Sequence, residues 1–247
     1  MKRVFSLAIT LCVLLSLSVY AFAADVQHEP AQPIDGSLQT VARSVSDPTY
    51  RGTGLLEATQ EEMDYWAQRD PGESLDEEST MRAVTWVNLD PFTYYEQEVN
   101  NTCTIACLRM ALKYVHGSTP SENTIKTTTG APCSIADATD YFNDYTSNYE
   151  YSVKYGGWKS TMKNNLYSCI SDGAPAILGI HMTSSDGWPY DLDCHAVASY
   201  AVLSDKSEFM LCDPWAGYKN EDEWRWYRKT ADELYDAFSG TNAGYMY

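Results

Sequence analysis

The chain predicts an α+β fold, with a helical N-terminal part packed on a C-terminal antiparallel sheet. Three observations carry this expectation. Helical spacing with capping signals dominates residues 102–170. Strand-like apolar runs crowd into residues 175–228. The two kinds of segment are segregated instead of alternating, which separates α+β from α/β chains. No internal repeat interrupts this order.

The elements follow along the chain. Thr59-Gln60-Glu61-Glu62 matches a capping box, with Met63 and Trp66 at helical spacing, and predicts a short helix near 60–69. Asp70-Pro71-Gly72-Glu73 stops it and opens an acidic loop to about residue 80. Ala83 to Leu89 reads as a strand. Thr102 is a good N-cap for a helix whose apolar face holds Ile105, Leu108, Leu112 and Val115, and Gly117 ends it. Thr119-Pro120-Ser121-Glu122 predicts a second helix with a capping box and a first-turn proline, stopping near Gly130. Ser134-Ile135-Ala136-Asp137 starts a third, reaching about Tyr145. Tyr149 to Tyr155 alternates as a strand does. Lys159 to Ile170 is helical and closes at Asp172-Gly173. Strands are expected over Pro175–Met182, His195–Leu203, Phe209–Asp213 and Trp224–Arg228. Thr230-Ala231-Asp232-Glu233 caps a final helix ending near Gly240.

The domain plan has three parts. Met1-Lys2-Arg3, an apolar run from Val4 to Val19 and Ala21-Phe22-Ala23 describe a secretory signal peptide over 1–23. The run is short for a membrane span. Residues 24–85 read as a flexible polar leader containing the short helix, a candidate pro-region. Residues 86–247 form the main domain. The mature protein is expected to be secreted, extracellular and off the membrane. The full chain's net charge of -17, from which Lys2 and Arg3 leave with the signal peptide, argues against nucleic acid and anionic membranes as partners. Of seven cysteines, Cys12 leaves with the signal peptide. The remaining six predict disulfides in an exported chain, with Cys194 and Cys212 a candidate cross-strand bridge. Their spacing matches no zinc pattern, so no metal and no cofactor is expected.

Four residue types in one chain order point to acyl chemistry. A thiol attacks a carbonyl as its thiolate, which a helix N-terminus and an imidazolium stabilise. Cys103 opens the first long helix, whereas Cys107 lies one turn in and reads as core. His28 falls in the leader, His116 ends a helix and His181 ends a strand; His195 begins an apolar strand after a polar loop, as a general base facing a cleft does. Asp213 ends the neighbouring strand, where Pro214 breaks the ladder, and two adjacent strands set it beside His195. Gln97 stands six residues before Cys103, which brings its amide beside the thiol as an oxyanion donor.

These motifs resemble the papain-like cysteine peptidases, and more closely the secreted relatives of the bacteriocin leader peptidases that cut after a double glycine. The resemblance covers roughly residues 90–230. It rests on Gln97 and Cys103, on Met110-Ala111-Leu112-Lys113-Tyr114, on His195-Ala196-Val197 and on Asp213-Pro214-Trp215. It implies a papain-like fold, with Cys103 as nucleophile, His195 as base, Asp213 as its partner and Gln97 as oxyanion donor. The chain departs from many relatives at Thr104-Ile105, where Gly-Pro or Trp-Ala is common, and at Ala201-Val202, where Gly-Tyr is common. The expected activity is hydrolysis of a peptide or protein substrate. A cell-wall amidase, an acyl or γ-glutamyl transferase and a non-catalytic binding module on the same fold are the competing expectations.

Overall fold

The computed structural model describes residues 55–68 and 83–247, all within one unit, Pro48–Tyr247. The signal peptide expected over 1–23, the leader before residue 55 and the acidic loop after the first helix lie outside the described residues.

The chain enters through β1 (Leu55–Leu56) and α1 (Gln60–Ala67), then passes along β2 (Trp86–Asn88). Four helices follow: α2 (Cys103–His116), α3 (Glu122–Thr129), then, after β3 (Cys133–Ser134), α4 (Ile135–Tyr145), and, after β4 (Val153–Lys154), α5 (Lys159–Ser171). The sheet strands come next: β5 (Ala176–Met182), β6 (Leu192–Leu203) and β7 (Glu208–Cys212). A short helix α6 (Pro214–Lys219), β8 (Trp226–Thr230), α7 (Ala231–Ser239) and β9 (Tyr245–Met246) complete the order.

Local chemistry explains the helix starts. Capping boxes close at Thr59–Glu62, Ser134–Asp137 and Thr230–Glu233, each satisfying orphan N–H groups of a first turn. Gly117 ends α2 with φ 81°, a left-handed value that glycine adopts without a Cβ penalty. Helix α2 lies against β6 and touches α3, α4 and α6. It buries Ile105, Leu108, Met110 and Leu112 completely. Each such side chain contributes about 1.5–3 kcal/mol, so the start of α2 is held firmly.

Seven strands form one sheet in the order β4-β9-β5-β6-β7-β8, with β2 pairing the far end of β6. All its pairings are antiparallel. Gly179 on β5 faces Ala196 on β6, and Ala198 faces Cys212 on β7. The register shifts between Ser199 and Ala201, so β6 carries a bulge at Tyr200. Strand β6 is buried almost throughout because α2 and α5 also pack on it.

Several sequence expectations change. Thr102 takes the N-cap position of α2 but donates its hydroxyl to the Val99 carbonyl at 2.8 Å instead of capping the helix. Ser121, not Thr119, caps α3, which leaves Pro120 ahead of the helix. The strand expected over 149–155 shrinks to Val153–Lys154, and β9 pairs beside it unpredicted. All six described cysteines are buried thiols outside any disulfide. Cys194 and Cys212 form no bridge, because Cys212 pairs with Ala198, four residues along β6. Their thiols meet Thr241 at 3.7 Å and Met110 at 3.4 Å.

Candidate active site

Three pieces of backbone converge. Strand β6 carries His195 near its start, the end of β7 delivers Asp213, and the loop before α2 carries Gln97. All three, with Cys103, are buried, at exposures of 0–1%. The structure covers the Cys103 side chain fully.

Asp213 is the best-anchored of the four. It follows β7 directly and caps α6, a helix the sequence did not reveal because Asp-Pro reads equally as a turn. Its Oδ1 accepts from Trp215 N–H at 2.8 Å and from His195 Nε2 at 2.8 Å. Its Oδ2 accepts from the Tyr227 hydroxyl at 3.2 Å. Its own N–H donates to the Arg225 carbonyl at 3.0 Å. Tyr94 then bridges: its hydroxyl donates to the Asp213 carbonyl at 3.1 Å and accepts from Gly217 N–H at 2.9 Å. A Cβ at Gly217 would stand 2.5 Å from that hydroxyl, so only glycine allows the approach. Tyr94 and Tyr227 were not singled out from sequence; nothing in a tyrosine-rich chain marks them.

His195 sits between this carboxylate and the thiol. The Cys103 side chain hydrogen-bonds the same ring. With Nε2 on Asp213, Nδ1 is the nitrogen left for it. Burial works against a charged ring here and is the largest single influence. The Asp213 charge and hydrogen bond, and then Cys103, outweigh it and raise the His195 pKa to about 10. The imidazolium is therefore the favoured form of this buried pair.

Cys103 is the first residue of α2, where backbone N–H groups are unsatisfied by the helix. One turn on, Cys107 donates to the Ala196 carbonyl at 3.4 Å, and burial pushes its thiol well above the ordinary range. That is a core cysteine, as the sequence indicated. Gln97 donates from Nε2 to the Val99 carbonyl at 2.9 Å, while its buried Oε1 has no partner. Its backbone N–H donates to the Pro214 carbonyl at 3.2 Å, tying the loop to the start of α6. The four predicted residues thus lie on elements that meet, with the direct bonds running Cys103–His195–Asp213. Among the described residues, no group of three or more His, Cys, Asp or Glu side chains is placed to hold a metal ion.

Helical N-terminal elements with an N-terminal thiol, packed on an antiparallel sheet that carries histidine and aspartate, define the papain-like cysteine peptidase class. The solved structure of xylellain, a cysteine protease from Xylella fastidiosa, is similar over 79% of this chain and 94% of its own, at 15% identity and a TM-score of 0.51. The peptidase domain of Streptococcus ComA matches 63% of this chain and 96% of that domain, at 11% identity and a TM-score of 0.44. Bromelain from Ananas comosus matches at 12% identity over 63% of this chain and 93% of its own, with a TM-score of 0.40. No curated protein matches the chain in sequence. Residues 89–243 match the Peptidase_C39 like family, and the chain belongs to it. It is a cysteine-type peptidase.

Proposed function

We propose that the protein is an exported peptidase that hydrolyses peptide bonds through Cys103, His195 and Asp213. The observation that carries this reading is the buried His195 ring, bonded to Asp213 on one side and to Cys103 at a helix start on the other. The Cys103 thiolate adds to the peptide carbonyl, and the C–S bond forms as the carbonyl becomes an oxyanion. Gln97 Nε2–H and the Cys103 backbone N–H receive that oxyanion. The His195 imidazolium passes its proton to the leaving amine as the C–N bond breaks. The neutral ring then takes a proton from water, whose oxygen attacks the thioester and frees Cys103. Asp213 fixes the ring's tautomer throughout.

Residues 24–85 act, in this proposal, as a pro-region. Several contacts of residues 55–68 support it. Leu55 pairs in parallel with Cys133, and its side chain is fully buried. A Cβ on Gly179 would strike the Ala243 methyl and come within 2.7 Å of Leu55 Cδ2, so Leu55 sits in the space that this glycine leaves beside Ala196. Ala58 N–H donates to the Asn242 carbonyl at 3.1 Å.

Iodoacetamide labelling with peptide mapping tests both statements. Selective alkylation of Cys103 that disappears in His195→Ala is expected. Faster alkylation in Leu55→Asp is expected from an unseated leader. Scattered, His195-independent labelling would sink the peptidase mechanism, and an unchanged rate in Leu55→Asp would sink the pro-region.

A further inference from the structure

Glu122 is a carboxylate with 2% exposure on a helix that carries no other part of the site. A buried charge of this kind is costly unless several donors meet it. Here the donors come from one place. Glu98 N–H donates to Oε2 at 2.9 Å and to Oε1 at 3.1 Å. The Thr102 hydroxyl lies near the same carboxylate, although its one proton goes to the Val99 carbonyl. Arg109 Nη1 stands 3.9 Å away and pairs with the Glu98 carboxylate at 2.8 Å.

Glu98 and Thr102 bracket the loop that joins Gln97 to Cys103. No ladder supports this loop, and Asn101 within it holds φ 68°. What fixes its interior is the Val99 carbonyl, which accepts from Gln97 Nε2 at 2.9 Å and from Thr102 Oγ1 at 2.8 Å. Glu122 therefore holds Glu98, the residue directly before that carbonyl. The carbonyl in turn aims the Gln97 amide, leaving the second Nε2 proton for another acceptor.

We infer that Glu122 is a positioning residue: it clamps the 98–102 loop so that Gln97 presents its amide to the oxyanion. This rests on the reading of Gln97 given above. Glu122 touches neither the thiol nor the ring, so its removal should leave the nucleophile intact while the amide drifts.

Three readouts on the full chain test this. Rates on fluorogenic casein are measured over a concentration range for wild type, Glu122→Ala, Glu122→Gln, Gln97→Ala and the Glu122→Ala/Gln97→Ala pair. Alkylation of Cys103 and hydrogen exchange of the 98–103 amides are followed alongside. Glu122→Ala should lower kcat about 10- to 100-fold with KM little changed, as a displaced catalytic group does. Glu122→Gln keeps one acceptor toward Glu98 and should recover part of the loss. The pair should be no slower than Gln97→Ala alone, because one residue acts through the other. Exchange at Glu98 should rise about 10-fold or more in Glu122→Ala with Cys103 alkylation held. Losses that multiply in the pair would overturn the inference, as would alkylation falling in step with kcat. Unchanged exchange at Glu98 would overturn it whether or not casein is cleaved. A wild-type chain that alkylates normally yet cleaves no casein would sink the peptidase reading alone, and the exchange result would still decide the role of Glu122.

Discussion

The two sides of the site are built by different means. His195 rides on β6, opposite Ile180 of β5, and Asp213 directly follows the last residue of β7, so the sheet sets their backbones before any side chain acts. Gln97 sits in a loop whose shape depends on side-chain contacts: Glu122 reaching in from α3, and Gln97 and Thr102 converging on the Val99 carbonyl. A strand pair tolerates the loss of one side chain without moving its neighbours. A loop held by one buried carboxylate does not. Damage on the sheet side should therefore be chemical and local, while damage on the loop side should be geometric and spread along the chain.

The largest effect should come from the reacting atom itself. Cys103→Ala is expected to lower kcat about 10⁶-fold, measured on casein, with unfolding by urea little altered. Asp213→Ala should cost about 10⁴-fold in kcat. It also removes the partner of a buried imidazolium, an α6 cap and the acceptor for Tyr227, so a loss of about 3–5 kcal/mol in urea unfolding is expected. Should Asp213→Ala instead keep full stability, the sheet side would not depend on this network. A third test uses pH. The folded-state pKa of His195 lies near 10, above its ordinary value of 6.5. The stability from its pairing is then complete below about 6.5 and is lost as pH rises through about 10. Urea midpoints should fall between pH 7 and 10 in wild type, and Asp213→Asn should flatten that slope. The smallest effect belongs to Tyr94→Phe, which removes the hydroxyl that bridges the two sides. About 0.5–1.5 kcal/mol per hydrogen bond is expected in urea unfolding, and an unchanged midpoint would mean the sides do not communicate through Tyr94.

Much of this was readable from sequence, for physical reasons. Capping chemistry is local, so α1, α4 and α7 start where Thr59, Ser134 and Thr230 indicate. Period and end signals placed α2 and Gly117. The helix-then-strand order gave the class, and the spacing of Gln97, Cys103, His195 and Asp213 gave the candidate site. What remained hidden depends on contacts far apart in the chain. Thr102 looks like a cap, but its hydroxyl finds Val99. Asp213 looks like the end of a strand, but it starts a helix as well. The cysteine count suggested bridges, yet register separates Cys194 from Cys212. Glu122 looks like an ordinary first-turn acid, and only the fold reveals that it faces inward.

The position of β9 has a consequence for how the molecule is made. Tyr245 and Met246 are inserted between β4 and β5, two strands that occur far earlier in the chain and do not touch each other along the sheet path. Until residues 245–246 have emerged from the ribosome, β4 has no place in the sheet and one edge of β5 stays open. Pairing over such sequence distances is slow. The residues that bear Cys103, His195 and Asp213 are thus all made before the strand that closes the sheet between β4 and β5.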